Sequence, residues 1–238
     1  MISPALGAPA PTELRATAVL LDLDGTITDS ASAIMTSIRE TFDAFGYPQL
    51  DDDTLLRFIG PPIREALAEI AGVAHDDLDA MVDDYRGRYS TRMVDVPLFP
   101  GVRELIRSWH AAGIPLALAT AKLQHMAEPI IDRAGLTPYF TAVCGDQPKE
   151  NVTVDGVTVK ADVVARALAG LAAAGADVSG AVMVGDRFHD VAGAARHGVE
   201  TVLVGWGYGR PGEGEGAVAV VHDSAELAAV LGARASAT

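Results

Sequence analysis

Five short apolar runs punctuate the chain: AVLLDL at 18–23, IPLALAT at 114–120, FTAVCG at 140–145, AVMVGD at 181–186 and TVLVGW at 201–206. Their apolar positions are consecutive rather than alternate, and each run is bounded by Gly, Pro or Asp. That pattern suits strands covered on both faces in a parallel sheet. Between the later runs the periodicity turns helical. GVRELIRSWHAAG places Val102, Leu105, Ile106 and Trp109 on one face and closes at Gly113. KADVVARALAGLAAAG repeats the pattern and puts Lys160 just ahead of a helix. Strands alternating with helices predict an α/β fold, a Rossmann-like, doubly wound parallel sheet.

Residues 30–97 break this alternation. ASAIMTSIRETFDAFG, IREALAEIAG and LDAMVDDYRGRYSTRM read as helices, no strand intervenes, and Pro97 and Pro100 mark the return to the α/β pattern. The expected organisation is a core from 1–29 and 98–238 with a small α-helical cap domain, 30–97, inserted after the first strand. Valines around Asp155-Gly156 predict a small hairpin within 146–160. GRPGEGEG at 209–216 predicts a flexible loop, and Asp51, Asp52 and Asp53 the solvated start of a cap helix.

Composition narrows the partners. The formal net charge of −14 disfavours broad binding to nucleic acid or an anionic membrane, since both need a basic face. No segment approaches the roughly 20 apolar residues of a membrane span. The N-terminus lacks the basic-then-apolar order of a secretory signal, and Cys144 is the single cysteine. These features predict a cytoplasmic protein with a small-molecule partner, no nucleic acid and no membrane. Monomer and homodimer are both compatible with them.

Open parallel sheets bind ligands beyond the carboxyl ends of their strands. The first run ends in Asp22 and Asp24, the second in Thr120, and the fourth in Asp186 with Asp190 four residues on; Lys160 lies between the third and fourth. Asp22 and Asp24 flank Leu23, so strand alternation directs both carboxylates the same way. With Asp186 they make a negative pocket that a hard cation such as Mg2+ would neutralise. A metal and Lys160 could then hold a phosphate oxygen. Gly25 permits a sharp turn, and Thr26 can donate a hydrogen bond. A calcium loop is a poor alternative, because Ile27 stands where its glycine belongs. Trp206 and Tyr208 in GWGYG are expected near the site, and Cys144 as a buried small residue.

DLDGT at 22–26, Thr120, Lys160 and GDRFHD at 185–190 appear in the order and spacing of four motifs. Through them, residues 17–232 resemble the haloacid dehalogenase superfamily with a helical insertion cap. The resemblance implies that Asp22 attacks phosphorus to form an aspartyl-phosphate, and that Asp24 acts first as acid and then as base. It implies that Thr120 holds a phosphoryl oxygen and Lys160 neutralises charge. Mg2+ would bind Asp22, Asp186 and the backbone carbonyl of Asp24, with Asp190 supporting that shell. The second motif reads Thr-Ala-Lys where many relatives carry Ser or Asn after the Thr, leaving the Ala121 N–H to serve.

FIGPPIREAL at 58–67, the Tyr85–Tyr89 region and GWGYG look most like phosphoglycolate phosphatases. They place Arg64 toward the substrate, against the alternative of a surface arginine opening a helix. The expected function is a Mg2+-dependent phosphoric monoester hydrolase for a small phosphorylated metabolite. Alternatives are a phosphomutase, or a 5′-nucleotidase or pyrophosphatase of the same superfamily. Asp24 counts against a dehalogenase, and a non-catalytic module would have little use for so many mutually repelling acids. The cap is expected to open for substrate and close against water.

Overall fold

The computed structural model describes residues 14–147 and 155–231. Six parallel strands, β1 (Ala18–Leu21), β2 (Leu116–Leu123), β3 (Ala142–Asp146), β4 (Ala181–Gly185), β5 (Glu200–Val204) and β6 (Ala219–Val221), form one sheet in the order β3-β2-β1-β4-β5-β6. The chain leaves β1 in one direction for β2 and later returns to its other side as β4. The carboxyl ends of these central strands therefore frame the crevice in which such sheets bind ligands.

Alternation along β1 shows why its run is apolar throughout. Val19 and Leu21 enter one core together with Ile106 and Trp109 of α5 (Val102–Ala111) and Ile130 of α6 (Gln124–Arg133). Ala18 and Leu20 enter a second core beneath Val163, Ala167 and Leu171 of α7 (Gly156–Ala173) and Ala194 of α8 (Phe188–Ala195). Each fully buried Val or Leu contributes about 1.5–3 kcal/mol of transfer free energy. The helix α9 (Ser224–Leu231) completes the first layer through Leu227, Val230 and Leu231.

Between β1 and α5 lie four helices, α1 (Ala31–Phe45), α2 (Asp52–Leu56), α3 (Ile63–Glu69) and α4 (His75–Ser90). Their packing is apolar through Ile38, Phe42, Met81 and Tyr85. Asp51 caps α2 by accepting the Thr54 N–H at 2.7 Å, so the three acids do open a helix. The two segments joining these helices to the core run side by side. The Asp29 N–H donates to the Pro97 carbonyl at 2.8 Å and the Phe99 N–H to that of Ile27 at 3.0 Å, around an antiparallel bridge between Thr28 and Leu98.

Four expectations change. Asp155-Gly156 is not a hairpin turn: the Asp155 carboxylate accepts the Thr158 N–H at 2.9 Å and so starts α7 at Gly156. The preceding limb of that hairpin, 148–154, lies outside the described residues. Lys160 accordingly sits inside α7 rather than ahead of it. The sixth strand gave no sequence signal, because three residues with Val220 well exposed fall below the length of a readable run. The 209–216 segment is anchored, since Glu213 pairs with the buried Arg187 at 2.8 Å.

Candidate active site

The turn after β1 is built around one carbonyl. The oxygen of Leu23 accepts the N–H groups of Ile27 and Thr28, both at 2.9 Å, and the Thr28 hydroxyl at 3.1 Å. Gly25 has φ +85°, and a Cβ there would collide with the Asp186 carboxylate. Gly207 of GWGYG meets the same carboxylate and the Gly25 carbonyl from the other side. Trp206 donates its indole N–H to the Thr26 carbonyl at 3.2 Å, and Tyr208 donates its hydroxyl to Asp29 at 2.8 Å. Both aromatics thus brace this turn.

Asp22, Asp186 and Asp190 are buried, with carboxylate oxygens lying within 4.8 Å of one another. Lys160 Nζ is 2.8 Å from Asp22 Oδ1 and 2.7 Å from Asp190 Oδ1. It also donates to the Ala119 carbonyl at 3.1 Å, so one ammonium ties both carboxylates to the backbone of β2. Asp190 Oδ2 accepts the N–H groups of Asp186 at 3.1 Å and Arg187 at 3.0 Å, fixing the loop after β4. Asp186 Oδ2 accepts the Tyr208 N–H at 2.7 Å, whereas its Oδ1 has no partner among the described residues.

The electrostatics follow from this crowding. Burial, then the Asp190 and Asp22 charges, hold the Asp186 carboxyl well above the ordinary range. Asp190 is pushed up to about 6, chiefly by burial against the opposing pull of Lys160. Burial opposes the charge on Lys160, yet Asp190 and Asp22 keep it more basic than a free lysine. An unpartnered buried carboxylate oxygen beside two further carboxylates fits a hard divalent cation. We expect Mg2+ to raise the urea midpoint, and more so at pH 8 than at pH 5. Asp190, with its raised folded-state pKa, binds its proton more tightly when folded, so the stability it lends is lost as pH rises through about 4 to 6, where a cation would replace the proton. Equal Mg2+ shifts at both pH values would contradict this.

Asp24 is held apart from that trio. Its Oδ2 lies 2.9 Å from Lys122 Nζ, on the wall of a cavity of about 190 Å3 between the inserted helices and the sheet. Lys122 also donates to the Tyr89 hydroxyl of α4 at 2.9 Å and lies 4.3 Å from that ring's centre. Tyr89 in turn stacks on Tyr85 at 5.8 Å. Thr120 and Ala121 line the same cavity, and the Thr120 hydroxyl accepts the Lys122 N–H at 3.2 Å. The buried Thr26 hydroxyl has no partner among the described residues. Arg64 reaches the cavity wall too, with its guanidinium paired to Asp79.

Sequence reasoning missed Lys122, Asp146, Arg86 and Arg187. Lys122 stands two residues after Thr120 on β2, so strand alternation already placed the two on one side. Asp146 ends the third strand just as Asp22 follows the first, and it lines the cavity. Arg187, buried, donates to the Ile59 carbonyl of the loop before α3 while paired with Glu213. Nothing in the sequence marked Arg86 or Arg187 among the other arginines. Lys122→Met is expected to lower kcat/KM for a phosphate ester by roughly 10- to 100-fold, the scale of one lost charge-assisted hydrogen bond. An unchanged value would make the Lys122–Asp24 contact incidental.

A curated relative, Tyrosine-protein kinase PtkA of Mycobacterium tuberculosis, is 40% identical over 194 residues, 81% of this chain. The match spans only 63% of that protein's length. Phosphoglycolate phosphatase of Caulobacter vibrioides is 33% identical over 217 residues, 88% of each chain. The crystal structure of a predicted phosphatase from Clostridium acetobutylicum superposes with a TM-score of 0.78 at 28% identity, covering 90% of this chain and 97% of that one. No helix among the described residues is long and apolar enough to cross a membrane. A sequence profile for haloacid dehalogenase-like hydrolases matches residues 19–204, and the chain belongs to that family.

Proposed function

We propose that this chain is a Mg2+-dependent phosphoric monoester hydrolase that works on a small phosphorylated metabolite through an aspartyl-phosphate on Asp22. One observation carries the reading: two aspartates separated only by Leu23 have different surroundings. Asp22 is buried against Lys160, while Asp24 faces the cavity beside Lys122. Such a division between neighbouring carboxylates is how a site assigns one to attack and the other to proton transfer.

In this reading Asp22 attacks phosphorus, and the bond from phosphorus to the leaving oxygen breaks. Asp24 gives its proton to that oxygen. Water then attacks the phosphorus of the acyl phosphate, Asp24 takes its proton, and phosphate departs as the Asp22 carboxylate re-forms. Thr120, the Ala121 N–H, Gly25 and Thr26 orient the phosphoryl oxygens. Lys160, 2.8 Å from Asp22 Oδ1, holds that carboxylate in place for attack. Held by Asp22, Asp186 and the Asp24 carbonyl, with Asp190 behind, Mg2+ would supply Lewis-acid neutralisation of the phosphoryl charge. Tyr85 and Tyr89 wall the site from water. The single cysteine, Cys144, agrees with a cytoplasmic setting.

The test is turnover of a panel of phosphorylated metabolites with Mg2+ and with EDTA, together with acid-quench trapping of an alkali-labile phosphoenzyme. Absence of metal-dependent phosphate release across the panel would overturn the reading. A second reading, phosphoryl transfer to a tyrosine, is favoured by the 40% identity to PtkA. Radiolabel passing from ATP to protein tyrosine, without release of phosphate, would select it. The cavity of about 190 Å3 favours a small ester over either a nucleotide or a peptide, since ordinary ligand pockets are roughly 300–1,000 Å3.

A further inference from the structure

The cavity beneath α4 contains one cation that the chemistry above leaves unused. Arg86 lines it from α4, half-buried, and its Nε is sealed from solvent without a hydrogen-bond partner among the described residues. The other two cations on the wall are engaged, Lys122 with Asp24 and Tyr89, and Arg64 with Asp79. A buried donor left unpaired is destabilising, and its persistence is explained when a ligand brings the acceptor.

Its position sets which part of a ligand it meets. Arg86 precedes Tyr89 by three residues on α4, about one helical turn or roughly 5 Å from the tyrosine that meets Lys122 and Asp24. On the sheet side its charge acts on Asp146, at the carboxyl end of β3. In the order β3-β2-β1 that strand lies two places from the one bearing Asp22, roughly 10 Å away at ordinary strand spacing. Asp146 lines the same cavity as Arg86, and burial holds its carboxyl above the ordinary range. Arg86, its Nε unpartnered among the described residues, therefore stands toward the end of the cavity remote from the nucleophile.

We propose that Arg86 is a specificity residue that grips a second anionic group on the substrate, a carboxylate or a second phosphate at the end away from the reacting ester. A planar fork of N–H donors suits either oxyanion, and the small cavity limits the link between the two ends to a few atoms. This rests on the hydrolase reading above, and it adds to it the class of ester that the enzyme selects.

The experiment compares kcat/KM, with Mg2+ present, for four esters of similar size: phosphoglycolate, ethylene glycol bisphosphate, ethyl phosphate and phosphoethanolamine. The wild-type enzyme is expected to prefer one or both of the first two over ethyl phosphate, and whichever leads identifies the anion as carboxylate or phosphate. Arg86→Met should reduce that ratio by roughly 10- to 100-fold, the range for one hydrogen bond to a charged group. Arg86→Lys should retain part of it. Arg86→Glu should raise phosphoethanolamine relative to ethyl phosphate, a gain that misfolding cannot produce. If the wild type splits ethyl phosphate as well as its anionic analogues, or if Arg86→Met leaves the ratio intact, the assignment is wrong while the hydrolase reading stands. If no ester of this set or of the wider panel releases phosphate, the hydrolase reading itself fails.

Discussion

Asp22→Asn is expected to remove turnover, with kcat falling by about 10⁴-fold or more, the scale on which enzymes lose a catalytic nucleophile. The change is nearly isosteric, and Asp22 is only 5% exposed, so packing is preserved. What is lost is the attacking oxygen and the negative charge that Lys160 meets at 2.8 Å. Rapid acid quenching of the wild type with substrate should yield a phosphoenzyme; the variant should yield none. Residual phosphate release within tenfold of wild type, or a label that persists in Asp22→Asn, would refute attack by this carboxylate. The Asp22 amide donates to the Val184 carbonyl at 2.9 Å, so the change leaves the strand pairing in place.

The second large effect is on stability. Lys160→Met keeps the length and volume of the side chain while removing the cation shared by Asp22 and Asp190. Breaking a buried pair from one side costs about 3–5 kcal/mol, because the remaining charges have neither water nor a partner. Lys160 is 2% exposed, so solvent does not soften this cost, and typical domains have only about 5–15 kcal/mol in total. Lys160 is more basic folded than unfolded, so its contribution is complete below about pH 10 and is lost only above that. The gap between wild type and variant in urea unfolding should thus be constant from pH 8 to 9. It should narrow below about pH 6, as Asp190 takes up a proton and needs no partner. Added Mg2+ should restore part of the loss by meeting the same carboxylates. A gap that widened on acidification would contradict the assignment.

Much of the core was legible because burial on both faces forces a strand to be apolar throughout. β1, β2, β4 and β5 carry that mark, and the amphipathic face of α5 matches its buried residues Val102, Leu105, Ile106 and Trp109. β6 escaped because three residues at a partly exposed edge need no such run. Asp155-Gly156 misled because the features that favour a tight turn also favour a helix start: a short acceptor side chain, then a residue without a Cβ. The acids at the strand ends were readable, since chain alternation and topology converge on one edge of the sheet. The cap's contribution was not. Whether Arg64 or Arg86 is the free cation depends on which carboxylate stands nearby, here Asp79 beside Arg64, and that is decided by helix packing far apart in sequence.

The paired segments at Thr28 and Leu98 have a consequence for how this chain can be rebuilt. The helices of 31–90 leave and rejoin the core through backbone already in hydrogen-bond contact, at 2.8 Å between Asp29 and Pro97. A two-residue hairpin loop would span that gap. The insertion is thus laid out as a cassette, and its exchange for that of a relative is expected to leave the ends of β1 and α5 in place. If Arg86 grips the substrate as proposed, selectivity is expected to change with the inserted segment while the aspartates stay as they are.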